Sequence, residues 1–359
     1  MQLPQLPNKF FDSLEITPAP YPVRILRKEP WYSFTKHNGY IPFARRLQMK
    51  VNSDMDECER LWNIFTPNQR FFELWEVRKK FFDVFQIEPY FLTLFGGNYE
   101  DDNDVMGVLP LWVDTIDYNG KYAWCGGFWP EDNTFFVKDT EAIPLLLMAA
   151  PTPIQLDCIN PHSDYQFLKS LYGYQEDESW KYYLDLTKYK TLEDYLSKLK
   201  KKKRYNLKRD RKRILSLRPK IVYNDSSHID YLFKHNINRF RMKFPNDPDN
   251  QSIFEDDKQK KLFRDLIKNP NSYKVRVIST VIKGEIEAVE LGFVYNKTYY
   301  AITAGVNVQK YHGLGIFSSL LVMEDALKQN CDKIDFFEGD YNWKDSWSLN
   351  NYHHHRFVK

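Results

Sequence analysis

The segment from residue 273 to 337 constrains the fold most. Three apolar-rich stretches, 273–282, 285–295 and 298–304, are separated only by Lys283-Gly284 and Asn296-Lys297. Two-residue connections carrying Gly or Asn join antiparallel strands as hairpins, so the spacing predicts a three-strand meander. An apolar-periodic run, 314–329, follows as a helix and 333–337 as a further strand. Gly313 and Gly315 stand at the helix entrance, and glycine is unfavourable inside a helix but common at its borders. A helix N-terminus carries unpaired N–H groups and partial positive charge, and glycines let an anion approach them. Lys310, His312, Gly313, Leu314, Gly315 and Ile316 are therefore candidates for holding a pyrophosphate; a plain loop turn is the alternative.

At 359 residues the chain exceeds a usual single core, and one domain per ~150 residues suggests two. Its 43% hydrophobic content, with 16% aromatics, is enough for buried cores and excludes global disorder. The longest apolar run, 142–154, contains Pro144, Pro151 and Pro153 and is shorter than the ~20 residues of a membrane span. The N-terminal MQLPQLPNKFFDS lacks the basic and apolar regions of a signal peptide. Cys58, Cys125, Cys158 and Cys331 form no C-x-x-C pair, which argues against zinc or a disulfide framework. Buried thiols in a reducing, cytoplasmic setting are expected.

Between Lys198 and Arg213 lie eleven Lys or Arg against one Asp, a local +10 within a chain of net +3, so the remainder is about −7. A capping box at Thr191–Asp194 and the absence of proline before Pro219 predict one helix of roughly seven turns. Its charges ring the helix instead of forming a stripe, which suits a solvated face or an anionic small molecule better than a DNA duplex.

Elsewhere the pattern predicts helices near 53–65, 68–85 and 141–150 and strands at 90–95, 105–113, 122–125 and 154–159. The second half repeats the order, with a strand at 180–186, helices opening with boxes at Ser227–Asp230 and Ser252–Glu255, then the meander. This order is that of a duplicated α/β unit. His353-His-His355 cannot all face one ion, and a frayed tail with no metal is expected.

Lys310-x-x-Gly313-x-Gly315 after a meander resembles the [RQ]-x-x-G-x-[GA] acyl-CoA loop of the GNAT superfamily, with Lys310 replacing Arg or Gln. Glu338-Gly-Asp-Tyr-Asn-Trp-Lys-Asp-Ser-Trp347 resembles the G-[DE]-x-x-Y-K-x-x-W ending of FemAB/CelD-type members, with Trp343 where Tyr is common. The basic helix, with Arg204, Asn206 and Arg209, and Gly107–Leu111 are similar to further elements of that family; the match spans roughly residues 50–350. The resemblance implies two tandem GNAT-like units, each a mixed, mostly antiparallel sheet flanked by helices: an irregular segment 1–30, a degenerate unit 31–175 and a unit 176–359 with the acyl-CoA loop.

It implies transfer of an acyl group, acetyl in the family's pattern, from coenzyme A to an amine of a small molecule or cell-envelope precursor. Backbone N–H of Gly305 or Val306 would polarise the carbonyl, Glu338 or Asp340 would act as base, and Tyr341 would reprotonate the thiolate. Lys344, paired with Asp340 at the surface or touching the acceptor, joins Arg204, Asn206 and Trp343 on the acceptor side. Gly126-Gly127-Phe128-Trp129-Pro130 closes the first meander on a residue without an N–H, so one donor per chain is expected. An aminoacyl-tRNA-dependent peptidyltransferase using the basic helix on RNA, and a binding protein with a vestigial donor site, are the rival readings.

Overall fold

The computed structural model describes residues 14–16, 25–27 and 47–359, except 98, 117, 162, 246, 248, 249, 340 and 341. In chain order the elements are β1 (Leu14–Ile16), β2 (Ile25–Arg27), β3 (Leu47–Asn52), α1 (Met55–Phe65), α2 (Trp75–Phe85), β4 (Pro89–Gly96), β5 (Val105–Asp114), β6 (Lys121–Trp124), β7 (Phe136–Val137), α3 (Ala142–Ala149) and β8 (Gln155–Ile159). They continue with β9 (Tyr174–Asp185), α4 (Leu192–Lys198), α5 (Lys201–Ser216), β10 (Lys220–Tyr223), α6 (Ile229–Lys243), α7 (Asp257–Ile267), β11 (Lys274–Ile282), β12 (Glu285–Tyr295), β13 (Thr298–Val306), α8 (Leu314–Lys328), β14 (Lys333–Glu338), α9 (Asn342–Ser346) and β15 (Asn350–Val358).

Two compact units result, the first from residues 1–67, 81–178 and 353–359, the second from 68–80 and 179–352. In the first, β3, β4, β5 and β6 form an antiparallel meander, and β6 meets the start of β8 in a parallel bridge at Tyr122 and Ile154. Leu94, Leu109, Ile143, Leu146 and Leu156 are among its buried core. The second unit orders its strands β10-β11-β12-β13-β14-β9, with β13 and β14 parallel and the rest antiparallel. Each unit therefore runs meander, helix, parallel strand, as the duplicated order predicted. All four cysteines are buried, and none forms a disulfide among the described residues.

Three local expectations are corrected. The basic helix is broken: Leu199 and Lys200 are extended (ψ 151° and 140°), which separates α4 from α5 and lets both pack against α8. The Thr191–Asp194 capping box holds, whereas Asp225 rather than Ser227 accepts at the start of the next helical segment and Asp256 caps α7. The histidine tail is no frayed end. It lies in β15, which pairs with β8 through His355–Ile159 and Phe357–Leu156; His354 bonds Asp132 at 3.0 Å and His355 bonds Tyr174 at 3.0 Å.

Candidate functional site

The parallel ladder between β13 and β14 lasts only from Thr298–Lys333 to Tyr300–Asp335, although β13 runs on to Val306 and β14 to Glu338. The cause lies in β14. Its register against β9 shifts after Asp335, and Phe337 takes a left-handed backbone (φ 60°), which turns the strand away. A buried ion pair, Lys181–Asp335 at 2.8 Å, sits at the fork. The result is a wedge: Tyr299 and Tyr300 are buried, while residues 301–304 are only partly so.

The hydrogen-bond phase of β13 decides which groups face that wedge. Asn307 N–H donates to Glu287 O at 2.8 Å, and bonded pairs alternate along an antiparallel ladder. Gly305 is therefore bonded to β12 through Val289, and Ala304 and Val306 turn their N–H and C=O away from it. Ala304 O accepts from Asn236 Nδ2 (2.9 Å) and Val306 O from Val308 N–H (2.9 Å), in agreement. Val306 N–H thus faces outward, whereas Gly305 N–H is spent on the sheet. Gly305 is glycine because a Cβ there would lie 2.0 Å from Leu232 O of α6.

At the mouth of the wedge stands the α8 N-terminus. Gly313 is its N-cap at φ 89°, a left-handed conformation that favours glycine. Leu314 N–H donates to Tyr311 O and Phe317 N–H to Gly313 O, which leaves the Gly315 and Ile316 N–H groups without a backbone acceptor among the described residues. A Cβ on Gly315 would meet only Val308 at 3.7 Å, so space lies open there. Leu314 itself is buried in the core. Lys310 is engaged elsewhere: its ammonium pairs with buried Glu287, whose other oxygen accepts from Asn307 Nδ2 at 2.8 Å. It braces the loop against β12.

Glu290 was not singled out in the sequence. In the ladders it lies between Ile278 and Ala304, on the sheet face beneath α8. It is partly buried; burial pushes its carboxyl up to about 7, with Ser318 and Arg239 opposing. Tyr299 OH, buried on the same side, has no hydrogen-bond partner of its own among the described residues. The signal in the sequence was a single carboxylate inside the apolar strand AVELGFV, a place where Glu is rare unless paired or functional.

The C-terminal motif splits. Asp340 and Tyr341 lie outside the described residues. Lys344 is buried (3% exposed), and its Nζ donates to Phe336 O, Phe337 O and Glu338 O at 2.9 Å each. It holds the turned-away end of β14 and so one wall of the wedge. Trp343 packs edge-on against Phe336 and Trp347, towards the core. Glu338 remains partly buried at the end of β14.

Helix α5 connects these parts. Lys203, Asn206, Asp210 and Arg213 recur at helical spacing and share a face. Lys203 bonds Ser346 Oγ of α9 at 2.7 Å, Asp210 lies against Gly313, and Arg213 Nη1 is 2.6 Å from exposed His312 Nδ1. The partly buried Asn206 falls between the two ends. Arg204 reaches back to Ser197 O at 2.8 Å, on the other side of the break.

Residues 201–345 match the sequence model of the acetyltransferase (GNAT) domain, a span that holds α5, the meander, the wedge and α8. That span of the chain thus carries a GNAT-type acetyltransferase domain. Among solved structures it is similar to FemX, at 9% identity and a TM-score of 0.55 over 86% of this chain and 97% of that one. A tandem GNAT protein from the clavulanic acid biosynthesis pathway matches at 11% identity and a TM-score of 0.47, over 87% and 97% of the two chains. The L-PGS of Bacillus licheniformis matches at 10% identity and a TM-score of 0.48, over 86% and 92%. No curated protein matches the chain. Among the described residues no helix is long and apolar enough to cross a membrane.

Proposed function

We propose that the second unit moves an acyl group, acetyl first among candidates, from coenzyme A to a primary amine. The observation that carries this reading is the wedge between β13 and β14 with two unspent N–H groups, Gly315 and Ile316, at its mouth. The pyrophosphate lies on those N–H groups, the pantetheine arm runs into the wedge, and Val306 N–H polarises the thioester carbonyl. Glu290 takes the proton of the acceptor amine, directly or through one water; a base near neutrality is matched to that task. The amine nitrogen then attacks the carbonyl carbon, the C–S bond breaks, and Tyr341 gives a proton to the leaving thiolate. A cavity of about 340 Å³, lined in part by Lys234, Arg239, Glu285, Val306 and Asn307, provides room for a small acceptor.

A second reading has its own observation. Tyr205, 66% exposed, stands among Lys201, Lys202, Arg204 and Lys208, an arrangement that can stack and neutralise RNA. That would suit an aminoacyl-tRNA donor. Thiol release from acetyl-CoA in the presence of a panel of small amines tests the first reading. Turnover only with charged tRNA would replace it with the second.

A further inference from the structure

We infer that Arg209 and Arg213 of α5 bind the phosphates of the acyl donor beside the α8 entrance, making the basic helix part of the donor site. This rests on the coenzyme reading above. Asp210 is 2% exposed and lies against Gly313, where a Cβ would sit 3.0 Å from its own Cβ. It pairs with Arg209 at 2.9 Å and approaches Arg213 at 3.7 Å. Both guanidiniums nevertheless keep 44% and 46% of their side-chain surface open.

A buried carboxylate thus fixes two exposed guanidiniums at the rim of the loop, with Arg213 also touching His312 inside it. Two cations against one anion leave a net positive charge beside the unspent Gly315 and Ile316 N–H groups. Guanidinium is suited to phosphate because its planar fork can donate two parallel bonds. The neighbouring cations of the run are committed differently: Lys208 pairs with Glu193, Arg211 with Glu324, and Lys203 bonds Ser346. Only the C-terminal part of α5 meets the loop. The density of positive charge in the sequence therefore hides a division of labour along one helix.

The test is calorimetric titration of the full chain with coenzyme A, dephospho-coenzyme A and pantetheine. Arg209→Gln/Arg213→Gln should weaken coenzyme A roughly 30-fold, leave pantetheine unchanged and flatten the salt dependence of binding. Arg209→Lys/Arg213→Lys should fall between, since charge is kept and the fork is lost. Because the Gln pair strands a buried carboxylate, the triple variant with Asp210→Asn is measured beside it; equal weakening in both excludes misfolding as the cause. Wild-type affinity for coenzyme A in either folded variant overturns the inference and leaves the coenzyme reading intact. Failure of the wild type to bind coenzyme A, with tight binding of tRNA, overturns the coenzyme reading itself.

Discussion

Both units run meander, helix, parallel strand, and they differ at the entrance of that helix. In the second unit, seven residues separate β13 from α8, Gly313 caps the helix in a left-handed conformation, and Gly315 and Ile316 keep their N–H groups unspent. In the first, the corresponding helix α3 consumes its entrance. Ala142 N–H donates to Asp139 O, Ile143 N–H to Thr140 O, Pro144 has no N–H, and the N-cap residue is Glu141. A site made of unspent donors and positive dipole is thus replaced by spent donors and a carboxylate. The comparison teaches that burial of a core preserves topology, whereas an anion site depends on a few backbone groups that the fold does not need.

The largest test of that difference targets chemistry only the second unit should perform. Glu290→Gln should lower turnover by ~10²-fold or more and remove the rise of rate through about pH 7, where the wild-type carboxylate forms. The folded carboxyl lies above its unfolded value, so the native state binds more protons between them and loses stability as pH rises through that window. Glu290→Gln should accordingly melt higher than wild type at pH 8 and close to it at pH 5. A variant that loses activity at all pH values while also melting lower would return Glu290 to a structural role.

Next in size is the entrance itself. Gly315→Leu places a side chain where the structure has space and should weaken coenzyme A by ~10²-fold, about 2.7 kcal/mol, read by calorimetry. Its circular dichroism should be unchanged, since Leu favours the helix more than Gly. Unaltered affinity would move the donor site away from α8.

Lys344→Met probes the wall of the wedge. Three carbonyls lose their donor, and leaving buried acceptors unpaired costs roughly 2–4 kcal/mol in all. Thermal melting should drop by several degrees, with acyl transfer impaired through the displaced β14 end. A melting point equal to wild type would mean that the carbonyls find water.

The smallest expected effect sharpens the comparison from the other side. Pro144→Ala restores an N–H to α3 but leaves Glu141 and the two spent donors in place. Coenzyme A should still bind at one molecule per chain. A second equivalent in calorimetry would show that one missing N–H was all that separated the units.

Much of the fold was legible in residue order. Two short turns specify the meander because strand direction must reverse within two residues, and the glycine pair marks the helix entrance because Cβ atoms are excluded there. The break at Leu199-Lys200 was not legible, since every residue around it tolerates a helix and only packing against α8 selects the extended pair. The strand of the C-terminal histidines was equally hidden: Asn350–Val358 has no regular alternation, and β8, far away in sequence, supplies its ladder.

The site divides in the same way. The sequence by itself determined the glycine entrance of α8 and the meander that precedes it, because each rests on short-range backbone requirements. The tertiary structure alone decided the rest. It assigned Lys310 to Glu287 and Lys344 to three carbonyls, and it turned Val306 rather than Gly305 towards the wedge. It also raised Glu290 towards neutrality. Those outcomes depend on which charges and carbonyls meet across strands and helices, and on how much water remains between them, neither of which any local run of residues encodes.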